Sequence, residues 1–183
     1  MKIISTFISG VALVETASHN DARGHFYRAF CQNELAPILG NRKIEQINVS
    51  HTALAGTVRG MHFQHAPHAE MKFIRCIKGR VWDVVVDLRR NSGTFLKWHT
   101  VELSPETCNM LVIPEGCAHG FQVLKPESEL LYLHTAGYLP QSEGGIRFDD
   151  PLVSISWPLP VSDVSDRDML FPFLPSDYAG LIV

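Results

Sequence analysis

Charge of either sign is in short supply. Only 19% of the 183 residues are charged, and the formal balance is −3. That gives no general attraction to nucleic acid or to an anionic membrane surface. An anionic ligand would have to be held by a local cluster of cations. Cysteine is also sparse: Cys31, Cys76, Cys108 and Cys117 form no CxxC pair and no zinc-finger spacing. Two of them lie in apolar, strand-like runs, so the four read as reduced and mostly buried thiols, which suits the cytosol. No apolar run is long enough to span a bilayer. Helical periodicity is scarce, and there is no repeat, low-complexity tract or linker. With 45% hydrophobic residues over this length, the chain is expected to form one compact domain spanning 1–183.

What the sequence does contain is short β-like runs separated by turn residues. "KFIRCIKG" (72–79), "VWDVVVDLR" (81–89), "NMLVIPEG" (109–116) and "LLYLHTAGY" (130–138) are the clearest. The opening "MKIISTFISGVALVETA" has a lysine before an apolar run, like a weak signal peptide. It has one early positive charge and no clear A-x-A site, so it is read as a first strand. Two helices are expected: "QNELAPILG" (32–40), stopped by Gly40, and "SDRDMLFPFL" (165–174), with Ser165 as N-cap and Asp168 at the capping-box position. Evenly spaced strands with few helices point to an all-β sandwich or barrel. Alternation places Gln46, Asn48 and Ser50 on one face, Lys72 with Ile74 and Cys76, and Tyr132 with Leu130 and His134. Such a pattern suits either a polar-lined cavity or a wetted outer face.

The stretch "TVRGMHFQ" (57–64) holds Arg59, His62 and Gln64 within one apolar run. Arg59 and His62 are three residues apart, so a regular strand sends them to opposite faces. If both serve one site, the chain must bulge or bend near Gly60, which glycine permits.

The blocks "DARGHFYRAF", "EQINVSH", "GTVRGMHFQ", "MKFIRCIKGRVWDVVVDLRRNSGTF", "VIPEGCAHGFQVL", "YLPQSEGGIRFDDPLVSISWP" and "SDRD" occur in this order from about Gly10 to Asp168. Together they resemble the dTDP-4-dehydrorhamnose 3,5-epimerases, enzymes of rhamnose biosynthesis. The resemblance implies a cupin jelly-roll barrel with a few short helices, one epimerase domain over the whole chain and no cofactor or metal. It also implies a homodimer with an exchanged N-terminal segment. The implied reaction inverts C3 and C5 of a dTDP-4-keto-6-deoxyhexose.

A carbon beside a ketone is acidic because its carbanion is an enolate. Inversion needs a base on one face, a cation or donor at the ketone oxygen, and an acid on the other face. A histidine titrates near working pH and suits the base. By the resemblance, His62 is the base and Asp168 the carboxylate that orients it. Lys72 faces the ketone and its enolate, and Tyr132 is the proton donor. Arg23, Arg59 and His119 match the phosphate-facing set. Gln46, Asn48 and Gln64 add neutral polar groups, and Phe26 and Tyr138 offer aromatic faces to the base. Arg23 and Phe26 are expected to complete the neighbouring subunit's site. Glu143 is counted among the substrate-facing residues; it could also pair structurally with Arg147, and solvated surface charges are the plainer account of both. Arg28 stands where most relatives carry glutamate. It is expected to add a phosphate contact, to change which nucleotide or sugar is accepted, or simply to point outward.

Three other readings compete. Inversion of one carbon only would use the same base and lysine. A metal-dependent cupin is suggested by "PEGCAHGF", with His119 as ligand, but Lys72 opposes a divalent ion and His62, His65 and His68 scatter across faces. A non-catalytic sugar-binding cupin would need no proton relay.

Overall fold

The computed structural model describes residues 1–183. Its strands are β1 (Lys2–Ser5), β2 (Ala12–Glu15), β3 (Ser18–Asp21), β4 (Gly24–Tyr27), β5 (Gln46–Thr52), β6 (Thr57–Gln64), β7 (Lys72–Asp87), β8 (Trp98–Leu103), β9 (Asn109–Ile113), β10 (Cys117–His134), β11 (Glu143–Gly145) and β12 (Asp163–Val164). The helices are α1 (Gln32–Leu39) and α2 (Asp166–Met169). No helix is long and apolar enough to cross a membrane.

Two long strands organise the molecule. The first part of β7 pairs with β9 and the second with β8, while β10 pairs with β6 near its start and with β5 near its end. Each therefore passes from one sheet into the other. The register between β7 and β10 breaks between Val123 and Leu130. Gly79 sits at this corner with φ +79°, and a Cβ there would lie 2.8 Å from Ser128 Cα. Only glycine suits both the angle and the approach. One sheet then runs β1-β2-β9-β7-β10-β5, and the other runs β8-β7-β10-β6-β11. Only the β6–β12 pair in this assembly is parallel.

Alternation along the strands sorts residues into three apolar groups. Ile74, Cys76, Val81, Val85, Leu111, Phe121, Val123 and Leu130 fill the space between the sheets. Phe73, Met110, Val112 and Leu133 point the other way and are covered by Leu35 and Leu39 of α1. Met61, Phe63, Val84, Val86 and Ala118 form the third group on the outer face of the second sheet. A buried aliphatic or aromatic side chain contributes roughly 1.5–3 kcal/mol, so this sorting fixes the register.

Several expectations hold and several need correction. α1 lies where expected, and the Gly40 N–H closes it on Ala36 O with φ +59°. The opening run is two strands, not one, folded back through Gly10 at φ +80°. The second helix is far shorter than 165–174. Ser165 Oγ accepts from Asp168 N as a cap should, but the helix stops at Met169. Pro172 disfavours helical geometry at the residue before it, and Asp168 is drawn inward by partners described below. All four cysteines are free thiols, three of them buried.

Candidate active site

A cavity of about 710 Å³ opens between the sheets, lined by residues of β5, β6, β7, β10 and α2. The bend at Gly60 makes it possible. On β10, His119 and Phe121 are two apart, yet they face His62 and Arg59, which are three apart. The extra residue is a β-bulge, and it turns both Arg59 and His62 into the cavity. Gly60 has φ +125°, and a Cβ on it would lie 2.5 Å from Gly120 Cα and 2.8 Å from His119 O. Two facing glycines thus let the strands touch where the chain bends.

His62 Nε2 lies 2.7 Å from Asp168 Oδ1. The other carboxylate oxygen accepts from Gly60 N–H at 2.9 Å. Burial pushes the Asp168 carboxyl up, but the bond to His62, the imidazole charge and the Gly60 amide outweigh it and hold it below its usual range. Asp168 therefore remains an acceptor, which leaves Nδ1 of His62 as the nitrogen with no partner. The helix cap and the bulge converge on this one carboxylate, so the fold positions the pair from two sides.

Lys72 begins β7 and is buried. Its Nζ donates to His62 O at 3.2 Å and lies 3.4 Å from Glu70 Oε1. Tyr132 hydroxyl is 3.2 Å from Ser50 Oγ, and burial pushes its pKa well up, so the phenol stays protonated. His119 and His134 flank its ring, one edge-on and one stacked.

His62, Lys72, Tyr132, Asp168, Asn48, Arg59, Gln64, His119, Tyr138 and Glu143 all line the cavity. Gln46 does not line the cavity; its side-chain carbonyl accepts from the N–H of Tyr138, which does, at 2.9 Å. Gln64 is committed to the backbone: its amide donates to His68 O and Gly137 O and accepts from Leu139 N–H. Arg59 donates to Thr52 Oγ1 and His51 O, which fixes its direction.

Other expectations are corrected by the geometry. His119 is not an open phosphate donor. Its Nε2 is 3.0 Å from both oxygens of the fully buried Asp83. Burial lowers the histidine pKa and raises that of Asp83. Glu143 does not pair with Arg147; it binds Arg167 and accepts from Tyr138 hydroxyl, while Arg147 pairs with Asp149. Arg23, Phe26 and Arg28 do not line this chain's cavity, which is compatible with the expected place of Arg23 and Phe26 in a neighbouring subunit's site and with the outward reading of Arg28. Arg23 and Phe26 are exposed on the separate β3–β4 hairpin. Arg23 binds Asp21, and Arg28, just past that hairpin, is held outward by Glu34 at the start of α1. No three His, Cys, Asp or Glu side chains are grouped as a metal ion would need.

Among the cavity residues that escaped the sequence reading are Arg167, Glu70 and His134; Asp83, which does not line the cavity, holds His119 from behind. Asp83 had a visible signal, a carboxylate amid the apolar run "VWDVVVD". Glu70 and His134 meet only when β10 folds back on β7, and Arg167 reaches the cavity only when α2 docks on β6.

Antiparallel strands passing between two packed sheets around a polar-lined cavity make this a cupin-type jelly roll, and its class among cupins is that of the isomerases. The chain belongs, more narrowly, to the dTDP-4-dehydrorhamnose 3,5-epimerase family, whose model matches residues 5–176. It is 39% identical over 180 residues to the dTDP-4-dehydrorhamnose 3,5-epimerase of Shigella flexneri, covering 97% of this chain and 99% of the relative. The crystal structure of dTDP-4-dehydrorhamnose 3,5-epimerase from Elizabethkingia anophelis superimposes with TM-score 0.90 at 35% identity, covering 97% of this chain and 98% of that one. A Legionella pneumophila dTDP-6-deoxy-D-glucose-3,5-epimerase, solved in complex with dTDP-4-keto-L-rhamnose, matches with TM-score 0.86 at 36% identity over 92% and 89% of the two chains.

Proposed function

We propose that the chain inverts C3 and C5 of a dTDP-4-keto-6-deoxyhexose, converting dTDP-4-dehydro-6-deoxyglucose to dTDP-4-dehydrorhamnose through enolates. The observation that carries this reading is the His62–Asp168 pair at 2.7 Å in one cavity with Lys72 and Tyr132.

His62 takes the proton from the carbon beside the ketone, and Asp168 stabilises the imidazolium that results. The Lys72 ammonium stabilises the oxyanion as charge moves from carbon to oxygen. Tyr132, kept protonated by burial, returns a proton from the opposite face. The phenolate is then reprotonated from solvent or through Ser50, and the His62 imidazolium releases its proton to solvent, so both groups are reset. A second cycle after the sugar rotates treats the other carbon. Arg59 and Arg167 face the diphosphate. Arginine suits this because its planar fork spans two phosphate oxygens.

A homodimer with an exchanged N-terminal segment belongs to the same proposal. Phe26 is 72% exposed, and Ile47 and Val49 on the outer face of β5 are 60% and 58% exposed. An apolar row on an edge strand calls for a cover, and a second copy would bring Arg23 and Phe26 to the cavity mouth. One domain over 1–183 is supported by the apolar groups sharing β7 and β10. The four free thiols fit a reducing compartment such as the cytoplasm.

The test is incubation with dTDP-4-keto-6-deoxyglucose, trapping of the product by a stereospecific ketoreductase, and NMR assignment of both carbons. A product inverted at both centres supports the proposal. One inverted centre reduces it to single epimerisation, and an unchanged sugar refutes it.

A further inference from the structure

Beside His62–Asp168 and His119–Asp83, the cavity wall holds a further histidine–carboxylate pair that the reaction above does not use. His134, at the end of β10, places Nδ1 2.7 Å from Glu70 Oε2. Glu70 lies just before β7, and its other oxygen faces Lys72 Nζ at 3.4 Å. Both side chains are largely buried, and both residues line the cavity. Burial pushes the Glu70 carboxyl up, but the His134 hydrogen bond and the Lys72 charge bring it below its usual range. An ionised Glu70 can only accept, so Nδ1 of His134 carries the proton and donates it. With Nδ1 donating to Glu70, Nε2 is the nitrogen left to meet a donor with its lone pair. That nitrogen lies 3.4 Å from Asn48 Nδ2, a donor on the facing strand β5.

This contact, at 3.4 Å, is long beside the roughly 2.9–3.0 Å usual for an N–H···O hydrogen bond. A bare acceptor and an amide donor thus stand side by side at the cavity wall, weakly satisfied by each other. Only a group that both donates and accepts completes them together, and a hydroxyl does so. A phosphate oxygen or a ketone offers no hydrogen to Nε2. Building on the epimerase reading, we propose that His134, held by Glu70, is a substrate-binding residue that with Asn48 recognises a hydroxyl of the hexose, at C2 or C3. The tie from Glu70 to Lys72 then sets the distance between that hydroxyl and the ketone, which fixes the sugar's position against His62.

The experiment uses the full-length protein and calorimetric binding of dTDP-glucose, which has both hydroxyls but no ketone to react. His134→Asn keeps a donor near the Nδ1 position for Glu70 and deletes the Nε2 contact. His134→Gln keeps an acceptor near Nε2 and loses the Glu70 bond. His134→Asn is expected to weaken binding roughly five- to tenfold, the value of one hydrogen bond. His134→Gln should lose less than half of that factor. Against the 2-deoxy or the 3-deoxy analogue, whichever lacks the recognised hydroxyl, the His134→Asn penalty should vanish. Equal Kd for His134→Asn and wild type overturns the inference. So does the same penalty on both deoxy analogues, equal behaviour of the two variants, or no binding of dTDP-glucose by the wild type. Failure of the epimerase reading is separate: it appears as wild-type protein that binds dTDP-glucose yet leaves the keto sugar unchanged.

Discussion

Replacing Asp168 by asparagine removes one charge and almost no volume, and its consequence follows from two hydrogen bonds. Gly60 N–H at 2.9 Å needs an acceptor, so the asparagine carbonyl is held there. The amide NH2 must then face His62 Nε2, which now lies 2.7 Å from a carboxylate oxygen. Nε2 can meet a donor only with its lone pair. The imidazole proton moves to Nδ1, the nitrogen that has to accept a proton from the sugar. The base is present but in the wrong tautomer, and no carboxylate remains to stabilise the imidazolium. A wrong-tautomer histidine costs on the order of 10⁴ in kcat in a Ser-His-Asp triad, equivalent to about 5.5 kcal/mol of barrier. The fold should survive, since the Gly60 and Ser165 bonds to residue 168 persist. The assay is the rate of solvent deuterium entering the keto sugar, with circular dichroism as the control for folding. A folded Asp168→Asn protein exchanging within tenfold of wild type would refute the tautomer argument.

Lys72→Met should lower kcat about 10²–10³-fold, because the ammonium acts on charge that develops in the transition state. Steady-state kinetics checks it, and a rise in KM with kcat intact would contradict it. Gly60→Ala should destabilise by roughly 2–4 kcal/mol, since the new Cβ combines strain at φ +125° with contacts of 2.5 and 2.8 Å to backbone. Urea unfolding reads this, and an unchanged midpoint would remove the bulge from its role. Asp87 is fully buried and bonded to Arg89, Ser92 and Thr94. Burial opposes its charge, but these bonds bring its pKa to about 2 from 3.8. The folded value is depressed, so its contribution is complete above pH 3.8 and is lost as pH falls through 2. Its size is about 2 kcal/mol. In Asp87→Asn the acid dependence of stability across that window should flatten; an unaltered slope would assign it to other carboxylates.

Much of the site was legible because local rules and a family resemblance agreed. Alternation in "MKFIRCI" and "LLYLH" placed Lys72 and Tyr132 beside Ile74 and Leu130, all of which face inward. The three-residue spacing of Arg59 and His62 demanded a bend at Gly60, and the bulge lies there. The illegible part is long-range. Glu143 is bound by Arg167, 24 positions away, instead of the nearby Arg147, because β11 and α2 meet only after both dock on β6. The same holds for Glu70 and His134, 64 positions apart. A capping signal at Ser165 fixed where α2 begins but not its length, which Pro172 and the inward pull on Asp168 decide.

The most direct measurement is deuterium incorporation from heavy water into dTDP-4-keto-6-deoxyglucose, followed by NMR at C3 and C5, for wild type and His62→Ala in parallel. Label should enter both carbons with the wild type and neither with the folded variant. Label entering at a near-normal rate without the imidazole would contradict the account.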